Sequence, residues 1–321
     1  MSSPTAKRQR TEEPGPPFFT RSDIWYTDGS VVLQAHTTQF RVHWGILSQH
    51  SSFFREIQGL PQPNDQPTVD GCPIVELPDD VVDVEHLLRA LYNPKIAYQP
   101  LLPLPMIAAL IRLGRKYDFR DLLDSAVDRV VQDSPKTLAE YDALVGDGAW
   151  SLKHIVAHSG LRFDLAVLAE ENNILSALPF AYYRATSLGL DRLLGGITRP
   201  DGTLASLPPV HLHRCIQGRE KLLHAQYRNE NTYGWLRGWD GTACVGPAGQ
   251  CARIREILSH KYLDTVTVRA FQKLKDGTLE HFCLGCRSRI SELQEAGRKK
   301  MWEELPGYFG LPPWEELKNN P

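Results

Sequence analysis

The hydrophobic pattern changes period early in the chain, and the remaining elements are read from that change. Val31, Leu33 and Ala35 alternate with Val32 and Gln34, and Phe40 and Val42 alternate with Arg41 and His43, the two-residue period of half-buried strands. The spacing predicts a β-hairpin. After His43 the apolar residues Ile46, Leu47, Phe53, Phe54 and Ile57 recur at three- and four-residue steps, which lines one face of a helix. Ser51 or Ser52 is placed to cap the second half of that helix.

Prolines and glycines over residues 58–71 predict an exposed loop, and residues 73–77 a strand. Val84, Leu87, Leu88 and Leu91 fall at i, i+3, i+4 and i+7, so this stretch is a helix buried on one side, with Asp83 as its N-cap. Pro94, Pro100, Pro103 and Pro105 then leave room only for a short strand over residues 96–98, and Pro105 suits the first turn of the next helix. That helix carries Met106, Leu110, Leu113 and Tyr117 on one stripe; the following one carries Leu122, Leu123, Ala126, Val127 and Val130, with Asp118 as its cap. Both stripes read as core. Further helices are predicted over residues 137–145, 152–158, 161–177, 179–188 and 209–227, with no fixed repeat among them, and a charged helix over 288–304. Tyr308, Phe309, Leu311 and Trp314 in the closing segment are expected to dock on the body.

Three of these stretches together resemble the BTB/POZ domain. Phe40-x-Val42-His43 runs into Leu47-Ser48-x-x-Ser51-x-x-Phe54, residues 76–94 match the family's third strand and the helix ending in Tyr92, and residues 107–130 match its closing helical hairpin around Lys116, Tyr117 and Leu122. The likeness spans roughly residues 22–131 in order. It implies an α+β fold: a BTB/POZ domain, a small sheet flanked by helices, followed here by a mainly α-helical C-terminal region in which a cysteine-based zinc site is one of two readings. The expected division is a disordered tail (1–20), the BTB/POZ domain (21–132), a helical region (133–240) and a cysteine-containing module with a terminal helix (241–321). Cys215-x-x-Gly218-Arg219 and the later Gly297-Arg298-x-x-x-Trp302-x-x-Leu305-Pro306-x-x-Phe309-Gly310-Leu311-Pro312-x-Trp314 are similar to fungal BTB proteins of unassigned function.

Composition narrows the setting. A chain of 321 residues with 42% apolar and 23% charged residues has ample core for about two domains. A net charge of −2 implies no general affinity for nucleic acid or for an anionic membrane. No secretory signal or spanning run is evident, so the expected location is cytoplasm or nucleus, and six cysteines there read as thiols or metal ligands. Lys7, Arg8 and Arg10 are either a nuclear-import patch or an ordinary basic cluster in a solvated tail.

Cys283-Leu284-Gly285-Cys286 is a metal half-site, since a Cys-x-x-Cys turn aims two sulfurs at one tetrahedral ion and Gly285 relieves the tight backbone. Cys244 and Cys251 form a looser second pair with six residues between them. The four leave two readings open: one structural zinc, or buried free thiols. His281 is an alternative ligand, and Cys72 and Cys215 read as plain thiols.

No Rossmann, Walker, G-x-S-x-G or H-E-x-x-H motif is evident, and His36, His43, His50, His154 and His158 form no spaced catalytic set, so the chain reads as a binding protein and not an enzyme. The resemblance implies that His43 hydrogen-bonds nearby backbone at the strand-to-helix junction. It also implies protein partners, a homodimer among them, and recruitment of substrates to a cullin-type ubiquitin ligase through Tyr92, Asn93 and Ile96. The alternative is a BTB transcriptional regulator or nuclear scaffold. Ser30 and Trp44 occupy the positions of the charged pair that corepressor-binding members use, with Asp28 displaced by two.

Overall fold

The computed structural model describes residues 19–61, 67–145, 152–199, 201–239, 241–275 and 277–320. Lys7, Arg8 and Arg10 lie outside them, as do residues 62–66 of the expected 58–71 loop. The chain forms two compact units: one runs to Ile96 and takes back Tyr117–Phe119, the other holds Ala97–Lys116 and the chain from Arg120 onward.

In the first unit a five-stranded sheet has the order β1-β3-β2-β5-β4. β1 (Thr20–Trp25) begins inside the segment expected as tail and pairs parallel with β3. β2 (Val31–Ala35) and β3 (Thr38–Val42) form the expected antiparallel hairpin. β2 is paired on both edges, to β3 and to β5 (Cys72–Leu77), all five of its residues are buried, and its polar Gln34 accepts from Gln39 Nε2 at 2.8 Å across the hairpin. β4 (Thr68–Val69) is a short antiparallel addition to β5 where only loop was expected.

The helix after β3 is two helices, α1 (Trp44–His50) and α2 (Ser52–Gln58). The chain breaks at extended Ser51, whose side chain accepts from Phe54 N at 3.1 Å and so caps α2. Ser51 Oγ also donates to the Tyr117 carbonyl, the Ser52 hydroxyl bonds Asp118, and the rings of Tyr117 and Phe119 lie 5.5 and 5.7 Å from that of Phe54. Asp118, expected to cap the next helix, lies two residues before it with φ +54°, and one of its carboxylate oxygens accepts from the Ser52 hydroxyl. α3 (Val81–Tyr92) starts earlier than its apolar stripe: Asp80 is the N-cap, accepting from Val82 N at 2.8 Å, and Asp83 sits in the first turn. The strand expected at 96–98 is replaced by one helical turn, α4 (Pro94–Ala97), because Pro94 with φ preset starts a helix well.

The second unit is helical. α5 (Leu104–Lys116) buries Met106, Leu110 and Leu113 as expected, and α6 (Arg120–Gln132) buries Ala126, Val127 and Val130. α7 (Leu138–Val145), α8 (Leu161–Glu171), α9 (Leu178–Thr186) and α10 (Leu190–Gly195) follow, then the hairpin of β6 (Ile197–Thr198) and β7 (Leu204–Ala205), α11 (Pro209–Ala225), α12 (Gln250–Leu263), α13 (Leu284–Glu303) and α14 (Leu305–Tyr308). Residues 152–158 are not helical. The buried Asp133 carboxylate accepts from the N–H groups of Lys153, His154 and Ile155 at 2.9–3.0 Å, and Ile155 bridges Leu102 in parallel. Those N–H groups therefore serve Asp133 and not a helical turn.

The core of this unit is aromatic. Tyr183 lies 4.7 Å from Phe271, which lies 4.9 Å from Trp302, and Trp314 stacks on Trp302 at 5.9 Å. Gly218 is required by Phe309, whose ring would lie 2.2 Å from a Cβ added there. Arg298 is fully buried, donating to the Phe271 carbonyl at 3.0 Å and paired with Asp142 and Glu295.

Ser51→Ala should cost about 1–2 kcal/mol in denaturant unfolding, since it removes the α2 cap and the bond from Ser51 Oγ to the Tyr117 carbonyl. An unchanged midpoint would contradict the role given to Ser51.

Candidate partner-binding surface and cysteine centre

The end of α3 is tied to the β3–α1 junction by one hydroxyl. His43 precedes α1, where helical N–H groups lack intrahelical partners. Its backbone N–H donates to Tyr92 Oη at 2.8 Å, and its ring Nδ1 lies 3.1 Å from the same oxygen. His43 Nε2 lies 3.2 Å from Asp28 Oδ1. The His43 ring therefore contacts two side chains, where a bond to nearby backbone was expected. Asp28, although displaced in sequence, is the carboxylate that reaches it, and Ser30 accepts from Trp44 N at 3.0 Å. Burial pushes the Tyr92 phenol up to about 12, so it stays neutral. Asp28 is held below the usual carboxylate range by its own backbone N–H and by His43.

Tyr92, Asn93 and Ile96 come together around a cavity of about 220 Å³. Tyr26 stacks on Tyr92 at 4.7 Å with an interplanar angle of 21°, Ile24 and Leu88 supply apolar wall, and Arg89 pairs with Asp23 at 2.8 Å on the rim. Asn93 ends α3, its N–H donating to the Arg89 carbonyl, and Ile96 N donates to the Asn93 carbonyl at 2.9 Å. Because the Tyr92 hydroxyl faces inward, it is the ring that lines the cavity beside Asn93 and Ile96. Tyr26 and the Asp23–Arg89 pair escaped the sequence reading, which assigned no structure to Tyr26; an aromatic just past a strand is the only signal they leave.

In the second unit Cys244, Cys251, Cys283 and Cys286 converge: their sulfurs lie within 4.8 Å of one another. A tetrahedral zinc with bonds of roughly 2.3 Å needs sulfurs about 3.8 Å apart, so the set fits such an ion with small inward shifts. The donor chemistry fits as well, four soft sulfurs favouring zinc. Cys283 N-caps α13 and Cys286 lies in its first turn. Cys251 starts α12, which explains the wide spacing from Cys244: the ligand is delivered by a helix end and not by a matching turn. Gly285 has a different reason from the one expected, since a Cβ there would meet the Ala243 carbonyl oxygen at 2.1 Å. The loop carrying Cys244 thus lies directly on the Cys-x-x-Cys turn.

Cys251 and Cys286 are buried among Tyr233, Trp235, Phe282 and Ile290, while Cys244 and Cys283 reach the surface. The backbone N–H of Cys283 donates to Cys251 Sγ at 3.4 Å. N–H groups of Cys286 and Val245 pull the Cys283 thiol down to about 6, whereas burial raises Cys251 and Cys286. Buried thiols of that kind form thiolates readily only beside a cation. His281 is exposed and not among the four. Cys72 and Cys215 are separate and buried, Cys72 Sγ lying 3.1 Å from the Gly29 carbonyl oxygen and Cys215 pushed up to about 12 by burial. Elsewhere in this unit His154 pairs with Asp133, and His158 with an Asp164 that Arg199 also holds, at the side of a groove of about 660 Å³ between α5, α8 and the β6–β7 hairpin.

Tyr92→Phe deletes the acceptor of the His43 N–H. It should lower stability by about 1–2 kcal/mol and speed amide exchange at His43; unchanged exchange at His43 would contradict the assigned bond.

Among the described residues no helix is long and apolar enough to cross a membrane. No curated protein and no solved structure matches the chain. Residues 24–134 match the family model of the BTB/POZ domain, a protein-interaction module, in agreement with the linked motifs and with the sheet and helices that carry them. The chain therefore carries a BTB/POZ domain, a small sheet flanked by helices, followed by a helical C-terminal region with a cluster of four cysteines.

Proposed function

We propose that this chain is a protein-interaction adaptor that recruits substrates to a cullin-type ubiquitin ligase in the cytoplasm or nucleus, and that it is not an enzyme. The observation that carries the reading is the convergence of Tyr92, Asn93 and Ile96 on one small cavity at the end of α3, with apolar wall inside and an ion pair at the rim. Such a site suits a single apolar anchor side chain surrounded by polar contacts. The helical unit supplies the second surface, with the groove between α5 and α8 as the place for a substrate segment. The transcriptional alternative is less favoured: Asp28 is engaged with His43, and a basic residue next to it, needed for a charged corepressor pocket, is replaced by Trp44. In the same reading the four cysteines hold one structural zinc, closed to substrate and joining the starts of α12 and α13.

Calorimetric titration of the full chain against the N-terminal domain of the cullin from the same organism should give micromolar or tighter binding. The double variant Tyr92→Asp, Ile96→Asp should weaken it at least tenfold, about 1.4 kcal/mol or more, and Ile96→Asp alone should weaken it without touching the His43 bond. No detectable heat would set the ligase role aside. Protein purified without chelator should carry one zinc per chain by elemental analysis; a metal-free preparation of folded protein would overturn the zinc assignment.

A further inference from the structure

The four sulfurs are not equivalent, and their difference in exposure has a chemical consequence. Cys251 and Cys286 are 1% and 0% exposed and packed under Trp235, Phe282 and Ile290, whereas Cys244 and Cys283 reach the surface. The two residues that neighbour the outer sulfurs, Val245 and Leu284, are 78% and 77% exposed, so solvent comes up to both knuckles. Cys244 lies in the loop between Gly241 and Gly249, outside any helix or strand, and those glycines have φ of +69° and +78°. The sulfur of Cys244 lies within 4.8 Å of Cys283 Sγ, so a disulfide of about 2.05 Å requires the two to close by a short distance, with Cys244 on a loop and not in a helix.

Resting on the zinc reading above, we propose that Cys244 and Cys283 are an oxidation site: a peroxide converts this outer pair to a disulfide, and the zinc is released. The sulfur of one outer thiolate attacks a peroxide oxygen. The O–O bond breaks, hydroxide leaves and a sulfenic acid forms. The second outer thiolate attacks that sulfur, the S–O bond breaks and a second hydroxide leaves. Two electrons have passed from the two sulfurs to hydrogen peroxide, and the two hydroxides take up two protons to give two waters. Only Cys251 and Cys286 then remain as ligands, too few for a closed tetrahedral site. The thiolate form is the nucleophile, and exposed sulfurs react ahead of buried ones, so the inner pair is spared. Because the inner pair belongs to the cluster of Tyr227, Tyr233, Trp235 and Leu236, the release also loosens the packing between the starts of α12 and α13.

The test uses the full chain, loaded with zinc and freed of reductant. Zinc content is measured first, then release into a chelating dye after about one equivalent of hydrogen peroxide, then the cross-link by mass spectrometry. Trypsin leaves Cys244 and Cys251 together in residues 238–253, and Cys283 and Cys286 together in residues 276–287, so fragment spectra of the linked peptide identify the pair. The expected result is release of the bound zinc, a Cys244–Cys283 link, and recovery of both zinc and free thiols with dithiothreitol and zinc. Cys244→Ser should retain three ligands, bind zinc more weakly, and give no such link. A chain that holds no zinc before peroxide overturns the zinc reading. Zinc that is bound and then retained through a tenfold excess of peroxide, or a first link between Cys251 and Cys286, overturns this proposal alone.

Discussion

A single phenolic hydroxyl joins the strand-to-helix junction of the first unit to the end of α3. Entering α1 from β3 leaves a backbone N–H at His43 with no helical acceptor, and Tyr92 Oη takes it at 2.8 Å. The same oxygen meets the His43 ring, which in turn reaches Asp28. With the hydroxyl committed inward, the ring of Tyr92 is held flat against Tyr26, and the cavity beside Asn93 and Ile96 has a rigid wall. The proposed partner surface is therefore built on a structural bond, and residues that shape it also hold the unit together.

A second constraint ties the helix pair α1–α2 to a distant part of the chain. Ser51 interrupts the helix, caps its second half and bonds the Tyr117 carbonyl, while Phe54 packs on Tyr117 and Phe119. The serines and phenylalanine of one motif thus meet Tyr117, Asp118 and Phe119 of another, which is why two separated stretches of sequence point to one fold. In the helical unit the residues of the two glycine–arginine motifs are likewise structural. Gly218 admits Phe309, Arg219 donates to the Val266 carbonyl at 2.9 Å, and buried Arg298 meets Asp142 and Phe271.

Much of this was legible in the sequence because it rests on local pattern. The 31–42 hairpin, the stripes of α5 and α6 and the Cys283–Cys286 turn follow from spacing alone. What was not legible depends on distant partners. Residues 152–158 have a helical pattern, yet Asp133 takes three of their N–H groups and draws them into an extended path beside Leu102. Asp80 caps α3 in place of Asp83 because the helix begins a turn before its apolar stripe, with exposed Val82 carrying no signal. The six-residue gap between Cys244 and Cys251 has its reason only in the fold, where the start of α12 delivers the second sulfur. Tyr26 and Asp28 gain meaning only from the folded position of Tyr92.

The end of α3 is the surface proposed to meet a partner. Hydrogen–deuterium exchange of the full chain, alone and with saturating cullin N-terminal domain, tests this most directly. Slowed exchange over residues 92–96 and over the end of β1 at Ile24 and Trp25, with residues 244–286 unaffected, is the predicted footprint. Unchanged exchange over residues 92–96, with protection elsewhere or nowhere, would contradict it.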